Sequence, residues 1–207
     1  RQGTMMVVGI TGPTGSGKTT ALNAIRELGG CVLDLDAVYH GLLKTDKNLL
    51  NELDGRFPGV IQNGELDRKA LGSIVFADKN ALSDLNAITG KYILAETDRQ
   101  LALARQQGLP IAAIDAINLL EGDLPDRCDV TVAVTAPVEI RVKRLMARDQ
   151  ISEEYARLRI SAQQPNEYFE AHCDHTLRNG EGTQEAFAQD CRELFIRLLE
   201  QQKGRLI

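Results

Sequence analysis

The stretch Gly12-Pro13-Thr14-Gly15-Ser16-Gly17-Lys18-Thr19, with Met6-Val7-Val8-Gly9-Ile10-Thr11 before it and Thr20-Ala21-Leu22-Asn23-Ala24-Ile25 after it, decides how the rest of this chain is read. A short apolar run, a glycine-rich octet and a helical pattern follow one another without a gap. The octet fits G-x-x-x-x-G-K-[ST] at every specified position. Glycine permits backbone conformations closed to other residues, so successive N–H groups can curl around one polyphosphate, and the N-terminus of the following helix adds partial positive charge there. Gly12, Pro13, Thr14, Gly15, Ser16, Gly17, Lys18, Thr19 and Thr20 are therefore the expected nucleotide-binding residues. Lys18 is expected to reach the β- and γ-phosphates, and Thr19 to offer its hydroxyl to a Mg²⁺ ion bridging them.

The whole chain suits such a site. Its 207 residues allow one core fold with room for an insertion, and a hydrophobic fraction of 43% against 26% charged is that of a soluble globular protein. The net charge of −5, without a run of five or six like charges, argues against general binding to nucleic acid or an anionic membrane. Cys31, Cys128, Cys173 and Cys191 are too widely spaced for a CxxC pair or a secreted disulfide framework, so reduced thiols and a cytoplasmic setting are expected. The apolar run Met5–Ile10 is too short for a signal peptide or a membrane span, and no later segment approaches about 18 apolar residues. Arg1–Thr4 precede a candidate initiator at Met5 or Met6 and read as foreign to the natural chain.

Further strands are expected at Gly30–Asp34, Pro110–Ala116, Asp129–Thr135 and Asp174–Leu177, with helical patterns between most of them. That alternation predicts an α/β fold with a parallel sheet. Phe187, Cys191, Leu194, Phe195, Leu198 and Leu199 recur at helical spacing behind Thr183, a candidate N-cap, and predict a closing helix over one sheet face. The residues between Asp36 and Pro110 carry no convincing strand and read as a helical insertion. Gly90 interrupts the pattern Leu82, Leu85, Ile88, Tyr92, Ala95, which fits either one long helix or two meeting at an angle.

Asp34 and Asp36 close the second strand run, where α/β sheets present their ligand crevice. On a strand, residues two apart face one side, so both carboxylates could point at the phosphates; alternatively they cap the next helix. Arg141, Arg144 and Arg148 stand at i, i+3 and i+7, which makes either a lid over a triphosphate or a solvated helix face. Asp115 ends the strand run Ile111–Asp115 and resembles the acid that closes a Walker B strand. His172-Cys173-Asp174-His175 has one thiol and no second ligand pair, so a structural role is expected. The GTPase patterns N-K-x-D and D-x-x-G and the transporter signature L-S-G-G-Q do not occur.

With these pieces placed, residues Val7 to Gly182 resemble the dephospho-coenzyme A kinase family, P-loop kinases that use ATP to phosphorylate the ribose 3′-hydroxyl of dephospho-CoA. Val32-Leu33-Asp34-Leu35-Asp36 is similar to that family's V-I-D-A-D, which implies Asp36 as the base. His40 follows where the family often has histidine. Gly64-Glu65-Leu66-Asp67-Arg68 with Val75-Phe76 looks like its D-G-x-L-D-R…V-F stretch, and implies Arg68 as a contact for the acceptor phosphate. Arg144-Leu145-Met146-Ala147-Arg148-Asp149 resembles its lid helix, Arg159-Ile160-Ser161-Ala162-Gln163 its R-I-x-x-Q, and the segment from Asp174 to Gly180 its asparagine-bearing stretch, which implies Asn179 near the adenine.

The resemblance implies a P-loop NTPase-like five-stranded parallel sheet with helices on both faces, a helical acceptor-binding insertion and a short lid. In this chain the nucleotide-binding core would be 5–36, 110–140 and 166–207, the insertion 37–109 and the lid 141–165. Lys18, Asp36 and Arg144 would be catalytic; Arg148 and Asn179 would join the loop residues on ATP; Asp36, His40, Arg68 and Asp115 would hold dephospho-CoA. Departures fall on the acceptor side. Asp115-Ala116-Ile117-Asn118-Leu119-Leu120-Glu121 stands for D-x-P-L-L-F-E, Gly90-Lys91 for a common His-Pro, and a lysine common after the Q-x-P stretch is absent. A P-loop kinase for another nucleoside or nucleotide, or a nucleotide-dependent regulatory module, are the rival expectations.

Overall fold

A computed structural model of the chain describes residues 4–205; the first three of the residues ahead of Met5 and the last two of the chain lie outside the described residues. In chain order the elements are β1 (Met6–Thr11), α1 (Lys18–Glu27), β2 (Cys31–Asp34), α2 (Leu35–Thr45), α3 (Lys47–Arg56), β3 (Ile61–Gln62), β4 (Glu65–Leu66), α4 (Arg68–Ala77), α5 (Lys79–Gln106), β5 (Ile111–Asp115), β6 (Val130–Thr135), α6 (Val138–Asp149), α7 (Glu153–Ser161), α8 (Asn166–His172), β7 (His175–Arg178) and α9 (Gln184–Gly204). Two compact units form, one of residues 1–33 with 103–207 and one of residues 34–102.

The first unit is built on a five-stranded parallel sheet in the order β2-β5-β1-β6-β7. Every residue of β1 and of β6 is buried, which is why both strands read as continuous apolar runs without an alternating polar face. Val8, Ile10, Val132 and Val134 pack with Ile25 of α1 and with Phe187, Leu194 and Phe195 of α9 in one core. Two aspartates set the register where the strands begin. Asp129 accepts the Val7 N–H at 2.7 Å, and Asp174 accepts the Thr131 N–H at 2.8 Å and its hydroxyl at 3.1 Å. The carboxylate of Asp174, part of the His172–His175 cluster, thus serves the start of β6.

The second unit is helical apart from the hairpin β3–β4, which the sequence reading missed. Its strands are two residues each, too short to show a period, and Asn63 and Gly64 make the turn with φ of 54° and 80°, the Asn-Gly signature of a tight hairpin. Leu49, Leu53, Phe57, Val60, Leu71 and Leu85 form its core. The alternatives at Gly90 resolve in favour of one helix, since α5 runs unbroken for 28 residues. Its final turn, from Leu103, belongs to the first unit. Among the described residues no helix is long and apolar enough to cross a membrane.

Two glycines behave oppositely. A Cβ on Gly12 (φ 150°) would lie 2.0 Å from the Val134 carbonyl oxygen, whereas one on Gly90 would meet nothing within 4 Å. Gly12→Ala is therefore expected to destabilise the protein by about 1–3 kcal/mol through forced backbone shifts. Gly90→Ala is expected to stabilise it by about 0.5–1 kcal/mol, the helical preference of alanine over glycine. Urea unfolding of the two variants beside the parent checks both signs.

Candidate active site

The phosphate loop joins the end of β1 to α1, at the carboxyl edge where β5 and β6 flank it. Register brings Asp115, the last residue of β5, level with Ile10 of β1. Lys18, the first residue of α1, reaches across and places its ammonium 3.1 Å from Asp115 Oδ1. Thr19 and Thr20 continue the first turn of α1, with Thr19 exposed. Gly17 precedes the helix with φ of 89°, a left-handed conformation suited to glycine, so the chain can swing from loop to helix without a side-chain cap.

The outer side of the loop is held by four side chains from three places, α6, the segment after α7 and the residue after β7. Arg141 Nε–H donates to the Thr14 carbonyl at 2.9 Å, Arg144 to the Gly15 carbonyl at 3.1 Å, and the Asn179 amide to the Ser16 carbonyl at 3.0 Å. Gln163 accepts the Thr14 N–H at 2.8 Å. Arg141 is only 1% exposed and has no ion-pair partner among the described residues, so burial pulls its guanidinium below the usual arginine range; burial acts on Arg144 in the same direction. The amide of Asn179 is placed by its own N–H, which donates to the Thr135 carbonyl at 2.7 Å as β7 ends.

The arginine triplet therefore splits. Arg141 and Arg144 face the phosphate loop, while Arg148 makes a two-point ion pair with Asp149, at 2.8 and 3.0 Å. Asp149 also accepts from Arg159 at 2.6 Å, and the two arginines hold its carboxyl well below the usual carboxylate range. Arg157 bridges Glu139 and Glu153, which ties α6 to α7. Val142, Leu145, Ala156 and Ile160 close a small apolar core between the two helices. Arg141 and Gln163 were not singled out as site residues from the sequence. The helical spacing of Arg141 with Arg144 and the R-I-x-x-Q resemblance ending at Gln163 were the available signals.

In the unit of residues 34–102 the two readings of Asp34 and Asp36 resolve in favour of a helix cap, made by Asp34 alone. The strand stops at Asp34, whose carboxylate caps α2 by accepting the N–H groups of Asp36 at 3.0 Å and Ala37 at 3.1 Å. Asp36 lies in the first helical turn, so the two acids do not share a strand face. The local N-cap bond wins because it satisfies two orphan helix donors at once. The Asp36 side chain is 84% exposed, and its Oδ1 lies 3.5 Å from His40 Nε2, one turn on. The His40 ring stacks at a tilt on Tyr39, 5.7 Å between centroids. Burial raises the Tyr39 phenol, and the charge of Arg68, the first residue of α4, opposes that shift. Asp36, Tyr39, His40 and Arg68 are thus neighbours in one unit. Lys91, at the departure from His-Pro, pairs with Glu52, which also accepts from the Tyr92 hydroxyl at 2.8 Å.

None of the thiols is primed as a nucleophile. Burial pushes Cys128 and Cys191 up to about 12 and Cys173 up to about 11, and also raises Cys31. All four cysteines are free. The chemistry of the site is therefore that of a cationic loop for a polyphosphate, with oxygen donors beside it.

Comparison with known proteins agrees with this arrangement. The family model described as dephospho-CoA kinase matches residues 6–185. The dephospho-CoA kinase of Geobacter sulfurreducens is 34% identical over 195 residues, 93% of this chain and 98% of the relative, and that of Thermobifida fusca is 35% identical over 87% of this chain and 90% of its own. The crystal structure of TT1252 from Thermus thermophilus superposes with a TM-score of 0.76 at 32% identity, covering 94% of this chain and 98% of that one. A shikimate kinase from Bacteroides thetaiotaomicron, at 15% identity and a TM-score of 0.53 over 93% of this chain and 99% of its own, shares the fold. With a family match that runs from β1 into the first turn of α9, and relatives covered almost end to end, the chain belongs to the dephospho-CoA kinase family.

Proposed function

We propose that this protein transfers the γ-phosphoryl group of ATP to the ribose 3′-hydroxyl of dephospho-CoA, giving coenzyme A and ADP, the last step of coenzyme A synthesis. The observation that carries the reading is the intact phosphate loop, its Lys18 ammonium 3.1 Å from Asp115 at the sheet edge, in a chain of this family. Backbone N–H groups of the loop and Lys18 would hold the triphosphate, and Arg144 would counter charge that builds on the transferring group. Arg148 would join ATP once released from Asp149, and Asn179 would sit at the adenine end. Asp36 would orient the hydroxyl and accept its proton, a role that rests on the resemblance of Val32–Asp36 and is supported by the accessibility of its carboxylate. His40, Arg68 and Asp115 would contact dephospho-CoA.

The donors present suit magnesium. Thr19 offers an exposed hydroxyl in the first turn of α1, directly after Lys18, and hard oxygen donors are what this ion prefers. When bound, it would neutralise charge shared by the β- and γ-phosphates. Four free, widely spaced cysteines support a cytoplasmic setting.

Coupled ADP release at fixed Mg-ATP, with dephospho-CoA, adenosine, AMP and no acceptor in parallel and the product identified by mass, tests the reading. Turnover is expected with dephospho-CoA alone; ADP release no faster than the blank would refute it. Asp36→Asn is expected to lower kcat by about 10²–10⁴-fold, the usual effect of losing a positioned base, with ATP affinity retained. Near-normal turnover in that variant would remove Asp36 from its role. Lys18→Ala is expected to weaken ATP binding and kcat together.

A further inference from the structure

In the phosphate loop, three successive peptide carbonyls, those of Thr14, Gly15 and Ser16, are each taken by a side chain from outside: Arg141, Arg144 and Asn179. A trans peptide unit holds its C=O and the N–H of the next residue antiparallel, and no cis peptide occurs among the described residues. Pulling those three oxygens outward therefore turns the N–H groups of Gly15, Ser16 and Gly17 the opposite way. None of the three donates to a protein acceptor among the described residues, whereas the Thr14 N–H donates to Gln163. The residue where the outward and inward sets meet is Thr14, gripped on its carbonyl by Arg141 and on its N–H by Gln163.

We infer that Arg141 and Gln163 are positioning residues that fix the peptide orientations of the phosphate loop before the polyphosphate arrives, so that Gly15, Ser16 and Gly17 already present their amides as one anion-binding concavity. Three features support this. A loop of glycines has little conformational preference of its own, so its orientation has to come from elsewhere. Arg141 is almost wholly buried, holds no carboxylate, and leaves one guanidinium nitrogen without a partner. An unpaired buried cation is costly to keep, and its charge is compensated when an anion lies on the far side of the loop it grips. Arg141 lies in α6 and Gln163 two residues past the end of α7, and these two helices pack on each other through Val142, Leu145, Ala156 and Ile160, so they bind the loop as one brace. A ligand then meets a site whose ordering is already complete, which raises affinity by preorganisation.

The inference rests on the nucleotide-binding reading of the loop, and its test separates the two. Binding of ATP and of inorganic tripolyphosphate is measured by titration calorimetry on the full chain, together with the unliganded thermal midpoint and amide hydrogen exchange at Thr14. Gln163→Met keeps the length and volume of the side chain and removes the acceptor. It is expected to weaken ATP and tripolyphosphate by the same factor, about five- to tenfold, the worth of one positioned hydrogen bond. The midpoint is expected to stay at its parent value while exchange at the Thr14 amide accelerates. Arg141→Lys keeps the charge but not the planar Nε–H aimed at Thr14. It is expected to lose affinity in the same sense. A Gln163→Met protein that binds both ligands as the parent does, or loses ATP but not tripolyphosphate, overturns the inference. A parent that binds neither ligand overturns the nucleotide reading beneath it.

Discussion

The backbone of Gly12 runs so close to β6 that its missing Cβ would stand 2.0 Å from the Val134 carbonyl. That approach sets where the chain leaves the sheet, and the rest of the site follows from it. β1 and β6 can pair in register through Val8–Thr11 only because nothing projects at the exit. The loop then turns back over the edge, α1 starts at Lys18, and its ammonium falls opposite the acid that ends β5. Parallel sheets align the carboxyl ends of their strands on one edge, so a loop, an acid and a helix N-terminus meet there without a dedicated scaffold.

Charge is distributed around that edge in two classes. Lys18 is held by Asp115, and Arg148 by Asp149, so each of these cations has a carboxylate partner. Arg141 and Arg144 bond backbone carbonyls, and burial disfavours their charged forms. An ion pair can exchange its anion for a phosphate at modest cost because the charge is compensated in both states. A guanidinium held by a neutral carbonyl gains compensation only when the anion is present, which makes its field selective for the loaded state.

Much of this was legible in the chain because it follows from local chemistry. Five strands were located from apolar runs bounded by turn residues, since a parallel sheet buried on both faces leaves a continuous hydrophobic record. The octet at Gly12 was legible because its glycines have one common reason to recur at that spacing. Strand order was not, because it depends on which runs pair in space. Whether Asp34 and Asp36 share a strand face or cap the next helix could not be decided from the chain, because the apolar pattern through Leu35 still reads as extended where the carboxylate of Asp34 bonds forward to Ala37 and starts a helix. Gln163 was legible only through the resemblance of Arg159–Gln163, which did not point to its partner, the Thr14 amide 149 residues away. A side chain that completes a loop from so far along the chain leaves no periodicity to read.

The four thiols, all raised by their surroundings, have a practical consequence for the molecule as an object of study. A thiol reacts as its thiolate, and at neutral pH the native side chains at positions 31, 128, 173 and 191 hold almost none. A cysteine introduced at an exposed position such as Ser161, on the brace that grips the phosphate loop, would react far faster than any of them. A single spectroscopic label can thus be attached without first stripping the chain of its own sulfur, and the brace followed while the loop fills.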